Sequence, residues 1–297
     1  MSKIGLVLEG GGMKCAYSAG VLDCFLEDGI QFDYLIGVSA GSANGVSYLA
    51  GQKGRNKRFY TEHLNDKDYM GLRCFRKTGN IFGLDYIYST LTNSDGADPL
   101  DYDKLMENPT EYELVATNAL TGKAAFFSKE NFVRDDYKEI KASCAIPAVC
   151  KPVVIDGIPY YDGGIADSLP LERAFERGCD KLVVITSKAR SYQRTPQKYR
   201  WFYSRRCKKY PKIIQLMDNH HIAYMEEFRH MFELEKQGKV LVIAPSKPLD
   251  ISTFTKDAVK NQEIYDLGCS DYDSLKQKLM AFMERLNAAG PVASLTI

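Results

Sequence analysis

The chain has 297 residues, 45% of them hydrophobic and 26% charged, with 39 Lys and Arg against 38 Asp and Glu for a formal net charge of +1. Such a length buries a full core as one large α/β domain or two small ones, and a near-zero charge gives no global attraction to nucleic acid. No apolar run approaches the ~20 residues that span a bilayer, and the opening M-S-K-I-G-L-V-L-E-G is too short for a secretory h-region, so a cytoplasmic protein is expected.

Lys3 to Leu8 reads as a strand, and the stretch after Glu9 is Gly10-Gly11-Gly12-Met13-Lys14, leading into a helical pattern from Cys15 to Asp28 that Gly29 closes. Strand, glycine loop and helix together cradle an anion, because successive N–H groups turn into one concavity with a helix dipole behind them. The anion is either a phosphate or an oxyanion. A dinucleotide loop of the G-x-G-x-x-G type is a rival, but its sixth position here is Cys15 and no acidic residue follows a second strand at the ribose-binding distance.

Tyr34, Leu35 and Ile36 form a second short strand that ends in Gly37-Val38-Ser39-Ala40-Gly41, followed by a helix through Leu49. A serine at the tip of a sharp strand-to-helix turn has strained backbone, and small residues two places before and after it leave its hydroxyl exposed. Ser39 is therefore read as a nucleophile, against the plainer reading of a glycine-rich turn that packs a helix on a sheet. Gly51 to Lys57 reads as a basic turn. From there to Asp101 periodicity is poor, and Phe59, Tyr60, Tyr69, Phe75, Phe82, Tyr86 and Tyr88 are read as core in preference to a substrate channel.

Glu111–Asn118 and Ala124–Ser128 alternate like the arms of a hairpin. Tyr137 to Cys144 reads as a short helix, and a second hairpin with a D-G turn leads to Asp162, which stands before Gly163 and Gly164 with an open approach on one side. Pro170 to Gly178 reads as a helix and Lys181 to Ser187 as a buried parallel strand. Ile213 to Gln237 reads as an amphipathic helix with Ile214, Met217, His221, Phe228 and Phe232 on its apolar stripe, followed by a buried strand from Lys239 to Ala244. The last fifty or so residues read as helical with Pro and Gly breaks, Tyr272 to Asn287 as a closing surface helix, and the end of the chain as a loose tail. The eight scattered cysteines lack zinc-site spacing and are read as buried free thiols.

Three stretches in this order, Gly10 to Lys14, Gly37 to Gly41 and Asp162 to Gly164, resemble the patatin-like phospholipase family. The approach to the third, K-A-S-C-A-I-P-A-V-C-K-P-V-V-I-D-G-I-P-Y-Y-D-G-G, resembles it too, with Ser143, Pro147, Pro152 and Gly157 in the usual places. Cys15 departs from the pattern where such loops often continue with glycine. The resemblance implies a three-layer α/β/α sandwich around a mostly parallel sheet, with a helical C-terminal extension. Residues 1–187 would be the first part of the catalytic core, 188–212 a basic aromatic segment, and 213–297 a helical part packing on the same domain.

It also implies a lipolytic serine acyl-ester hydrolase with no cofactor or metal. Ser39 and Asp162 would form a catalytic dyad, Gly10, Gly11, Gly12, Met13 and Lys14 the oxyanion site, and Gly37, Gly41, Gly163 and Gly164 the supporting turns. A carboxylate is a weak base for this task, with a reference pKa of about 3.9 against roughly 6.5 for histidine. The rivals are a Ser-Asp-His esterase using His220, His221 or His230, and a catalytically silent binding protein of the same fold. Residues 188–212 hold ten Lys or Arg, six aromatics including Trp201, and no Asp or Glu, a composition that suits peripheral contact with an anionic membrane and equally a solvated loop.

Overall fold

A computed structural model describes residues 2–284. Eight strands form one sheet: β1 (Ile4–Leu8), β2 (Tyr34–Val38), β3 (Glu111–Asn118), β4 (Ala124–Ser128), β5 (Val153–Ile155), β6 (Ile158–Asp162), β7 (Lys181–Ile185) and β8 (Val240–Ile243). Around it lie helices α1 (Ala16–Glu27), α2 (Ala40–Leu49), α3 (Arg55–Thr61), α4 (Leu72–Thr78), α5 (Tyr102–Glu107), α6 (Lys138–Ser143), α7 (Leu171–Glu176), α8 (Arg200–Arg206), α9 (Pro211–Lys236) and α10 (Ala258–Met283).

The strand order is β5-β6-β3-β2-β1-β7-β8, in which β3, β2, β1, β7 and β8 run parallel to one another, while β6 and β4 pair antiparallel with β3 and β5 antiparallel with β6. The parallel strands are apolar on both faces because both faces are covered. Leu6, Leu8, Leu35, Val183 and Ile185 point into a core shared with α1, α2 and α10, whereas Val7, Ile36, Val184 and Val242 point into one shared with α7 and α9. That two-residue alternation, read along every central strand, makes the three layers.

The register around β3 brings two distant parts of the chain together. Val115 pairs with Val38 of β2 and with Phe126 of β4, while the next residue, Ala116, pairs with Asp162 of β6 and with Ala125 of β4. Since β4 takes one edge of β3 throughout, β2 and β6 share the other edge, approaching end to end. The residue that follows β2 and the last residue of β6 therefore meet.

Several expectations need correction. The basic turn is a turn only as far as Gly54, where α3 begins. The buried stripe of α9 is Ile213, Met217, Tyr224, Phe228, Met231 and Leu234, so Ile214, His221 and Phe232 lie at its flanks. The C-terminal pattern is not a broken surface helix. It is one 26-residue helix, α10, that runs unbroken through Gly268 and lies across α1. The two backbones touch there, since a Cβ on Gly268 would sit 2.2 Å from the Tyr17 carbonyl oxygen and one on Gly20 2.1 Å from that of Tyr265. Asn287 and the tail expected to be loose lie outside the described residues. Phe59, Tyr60, Tyr69 and Phe82 are buried in the main core, with Tyr86 and Tyr88 packed against it. Among the described residues no helix is long and apolar enough to cross a membrane.

Candidate active site

Ser39 sits between β2 and α2 with φ 54° and ψ −131°, a positive φ that a side chain rarely adopts. The turn is held at its neighbours. A Cβ on Gly37 would lie 2.5 Å from Ser42 Cα, and one on Gly41 2.6 Å from the Leu8 carbonyl oxygen, so both positions require glycine. The Ser39 amide donates to Ser143 Oγ at 2.9 Å, and Ser42 Oγ donates to the Ser39 carbonyl at 2.6 Å. Such strain persists only where surrounding structure over-determines it.

Asp162 arrives from β6. Its Oδ2 accepts the Ser39 hydroxyl at 2.6 Å, and its Oδ1 accepts the Gly164 amide at 2.9 Å. Gly163 lies so close to β3 that a Cβ would be 2.2 Å from the Val115 carbonyl oxygen. Both Ser39 and Asp162 are buried, at 7% and 6% exposure. Burial pushes the Asp162 carboxyl up to about 6, although the Ser39 and Gly164 hydrogen bonds and the charge of Arg194 pull the other way.

The glycine loop arches over this pair. A Cβ on Gly10 would lie 2.8 Å from Ser39 Cβ, and neither the Gly10 nor the Gly11 amide has an acceptor among the described residues. Gly12 and Lys14 line the same cavity. Met13 does not: its side chain is buried, and its amide donates to the Thr253 carbonyl at 3.3 Å. Cys15 is likewise turned into the core, its thiol against the Glu9 carbonyl at 3.5 Å, so the departure from the family pattern adds nothing to the cavity wall.

The cavity measures about 620 Å³. Its inner wall carries a network with no local sequence signature. Glu9, buried, accepts the Ser187 amide at Oε2 at 2.6 Å and the Tyr224 hydroxyl at Oε1 at 2.8 Å, and Lys188 Nζ lies 3.4 Å from the same Oε1. The basic aromatic segment lines the cavity through Arg194, Lys198, Tyr199, Phe202 and Tyr203, and Phe254 lines it too. None of Phe59, Tyr60, Tyr69, Phe75, Phe82, Tyr86 and Tyr88 lines it.

The histidines stand apart from the Ser39–Asp162 pair. His220 reaches the cavity, but its Nε2 is 3.1 Å from Ser168 Oγ and its Nδ1 3.0 Å from Arg194. His230 bonds Glu172 at 3.0 Å and His63 bonds Asp98 at 2.9 Å, while the Nδ1 of His221 is buried without a partner. Among the described residues no group of three or more His, Cys, Asp or Glu side chains is placed to hold a metal ion.

A serine on a strained strand-to-helix turn, at the end of a covered parallel sheet and beside a buried carboxylate, is the layout of a hydrolase built on a three-layer sandwich. The model of the patatin-like phospholipase family matches residues 6–175, and the chain belongs to that family of lipid acyl hydrolases. Residues 210–284 match a second family, a domain of unknown function. The uncharacterised protein YjjU of Escherichia coli K12 is 27% identical over 91% of this chain and 76% of its own length. Lysophospholipase NTE1 of Scheffersomyces stipitis and lysophospholipase nte1 of Aspergillus niger are each 24% identical, over 92% and 93% of this chain. The chain spans only 18% of the length of either fungal protein. The crystal structure of VipD from Legionella pneumophila aligns with a TM-score of 0.47 and 12% identity, over 94% of this chain and 67% of that one.

Proposed function

We propose that this protein cleaves fatty-acyl esters of lipids with a Ser39–Asp162 dyad and an oxyanion site at the Gly10 and Gly11 amides. The observation that carries the reading is the 2.6 Å hydrogen bond from Ser39 Oγ to Asp162 Oδ2 beneath a loop with two unused N–H groups. Ser39 Oγ attacks the ester carbonyl carbon as its proton passes to Asp162. The oxyanion that forms collects the Gly10 and Gly11 amides, with Lys14 adding positive charge at the cavity wall. Collapse expels the alcohol, which takes the proton from Asp162. Water then repeats the cycle on the acyl-serine and releases the fatty acid.

A free aspartate is a poor base, but at about 6 the Asp162 carboxyl stands close to the roughly 6.5 of a histidine. Burial thus supplies much of what a third catalytic residue would. The histidine triad is disfavoured because His220 is committed to Ser168 and Arg194. In the segment that lines the cavity with Lys198 and Tyr199, Tyr199 and Trp201 are 70% and 71% exposed, and Lys198, Arg205, Lys208, Lys209 and Lys212 carry no ion pair among the described residues. That surface suits an anionic membrane from which a lipid enters the cavity. Labelling by a fluorophosphonate probe tests the chemistry: the intact chain reacts at Ser39, Ser39→Ala does not, and a labelled Ser39→Ala protein would sink the reading. Profiling of lipid classes consumed by the intact chain identifies the substrate.

A further inference from the structure

Arg194 enters the cavity from the segment after β7, outside the residues that match the phospholipase family. Its guanidinium lies over the Tyr224 ring at 5.0 Å, and its Nη2 is 3.0 Å from His220 Nδ1. A guanidinium only donates, so His220 Nδ1 must be the bare nitrogen and the ring proton must sit on Nε2. That proton is directed at Ser168 Oγ, 3.1 Å away, and Ser168 passes its own to the Gly164 carbonyl at 2.7 Å. The chain of donors is consistent from end to end, and it fixes His220 as neutral. Burial, with Arg194 beside it, pushes the imidazole down to about 3.

A neutral acceptor orients Arg194 without cancelling its charge. No carboxylate among the described residues pairs with it, and Lys14, half-buried in the same cavity, has none either. Lys188 has only Glu9, at 3.4 Å. Asp162 is occupied by Ser39 and the Gly164 amide. Burial holds Lys14 below the ordinary lysine value, and the charges of Lys188 and Arg194 lower it further against the pull of Glu9. A partly buried cation with no counter-charge is unfavourable unless an anion meets it, and a planar fork with spare N–H groups matches a phosphate.

We propose that Arg194, oriented by His220, binds the phosphate of the substrate and makes the enzyme selective for phosphate-bearing acyl esters over neutral esters of the same acyl chain. This rests on the ester-hydrolase reading above and names its substrate class and the residue that recognises it. Arg194 is a specificity residue, and His220 is a positioning residue that acts through it.

The test compares the full chain and its variants on a lysophospholipid and a monoacylglycerol that share one acyl chain. The quantity read is the ratio of the two kcat/KM values. In Arg194→Gln the ratio falls by about tenfold to a hundredfold, mostly through KM for the lysophospholipid. Arg194→Lys recovers part of it, and His220→Leu lowers it less than Arg194→Gln does. An unchanged ratio in a folded Arg194→Gln protein overturns the proposal. A second arm measures calorimetric binding of short-chain, ether-linked analogues, which no hydrolase cleaves, and therefore decides the matter even if ester hydrolysis itself is not found. The intact chain binds the phosphate-bearing ether more tightly than the neutral one, and Arg194→Gln loses that preference. Equal affinity for the two ethers overturns the proposal, as does inorganic phosphate binding as tightly as the ether lysophospholipid, which would mark a site for the free anion.

Discussion

The amide of Ser39 and the hydroxyl of Ser143 are joined by a 2.9 Å hydrogen bond that links α6 to the turn between β2 and α2. Ser143 is fully buried, and Ser42 Oγ lies 3.2 Å from it, so three serines hold one strained turn. The bond also spends the Ser39 amide, so in the proposed mechanism the oxyanion falls to the glycine loop. Ser143→Ala leaves that buried N–H without an acceptor and is expected to destabilise the protein by about 1–3 kcal/mol in urea unfolding. It is also expected to lower kcat more than it changes KM, because the attacking oxygen loses its fixed direction. A variant that loses stability with kcat untouched would confine Ser143 to a structural role.

Ser39→Ala and Asp162→Asn are each expected to reduce ester hydrolysis by about four orders of magnitude or more while the circular dichroism spectrum stays that of the intact chain. His221→Ala and His230→Ala are expected to keep most activity, since neither residue lines the cavity. Loss of turnover in a folded His221 or His230 variant would contradict the dyad.

The pH dependence follows from Asp162. In the proposed mechanism its carboxyl, raised by burial to about 6, must be ionised to accept the serine proton, so kcat/KM is expected to rise with pH through about 6 and to be level above it. Stability runs the opposite way for this group. The folded state holds the proton more firmly than the unfolded chain, so the contribution is present in full below about 4 and is lost as pH rises through 6. An activity profile with no inflection between pH 5 and 7, measured on a substrate that does not titrate there, would refute the assignment of the base.

Trp201 is the only tryptophan, and it is exposed in the segment that lines the cavity. On mixing with vesicles rich in anionic lipid, its emission is expected to shift to the blue and to resist an aqueous quencher, and high salt is expected to reverse both effects. If emission does not change with vesicles that the enzyme hydrolyses, the lipid meets the protein elsewhere.

Much of this was legible in the sequence where the signal is local. The strands β1, β2, β7 and β8 are short apolar runs, the hairpins β3–β4 and β5–β6 carry their turns in L-T-G-K and D-G, and Ser39 and Asp162 each stand beside glycines that only a tight approach explains. What escaped notice has no such mark. The helices α3, α4 and α5 are six or seven residues long, too short to show a period, and are set by their burial against the body. The stripe of α9 turns Tyr224, which bonds Glu9, and Met231 inward in place of His221 and Phe232, a choice set by partners on other elements. The run from 188 to 212 reads as a membrane contact or a solvated loop, yet Lys188, Arg190, Arg194 and Arg200 are tied to Glu9, Glu235, His220 and Asp218. Those partners lie on other elements, and only the fold brings them near.

The carbonyl that closes the glycine loop belongs to Thr253, just ahead of α10, and α10 in turn covers α1, which the loop launches. A ribosome therefore delivers Ser39 and Asp162 well before it delivers the segment that fixes the loop above them. While Thr253 and α10 are still inside the exit tunnel, Met13 has no cap and the outer face of α1 lies bare. A half-made chain would carry Ser39 and Asp162 without the segment that holds the glycine loop above them.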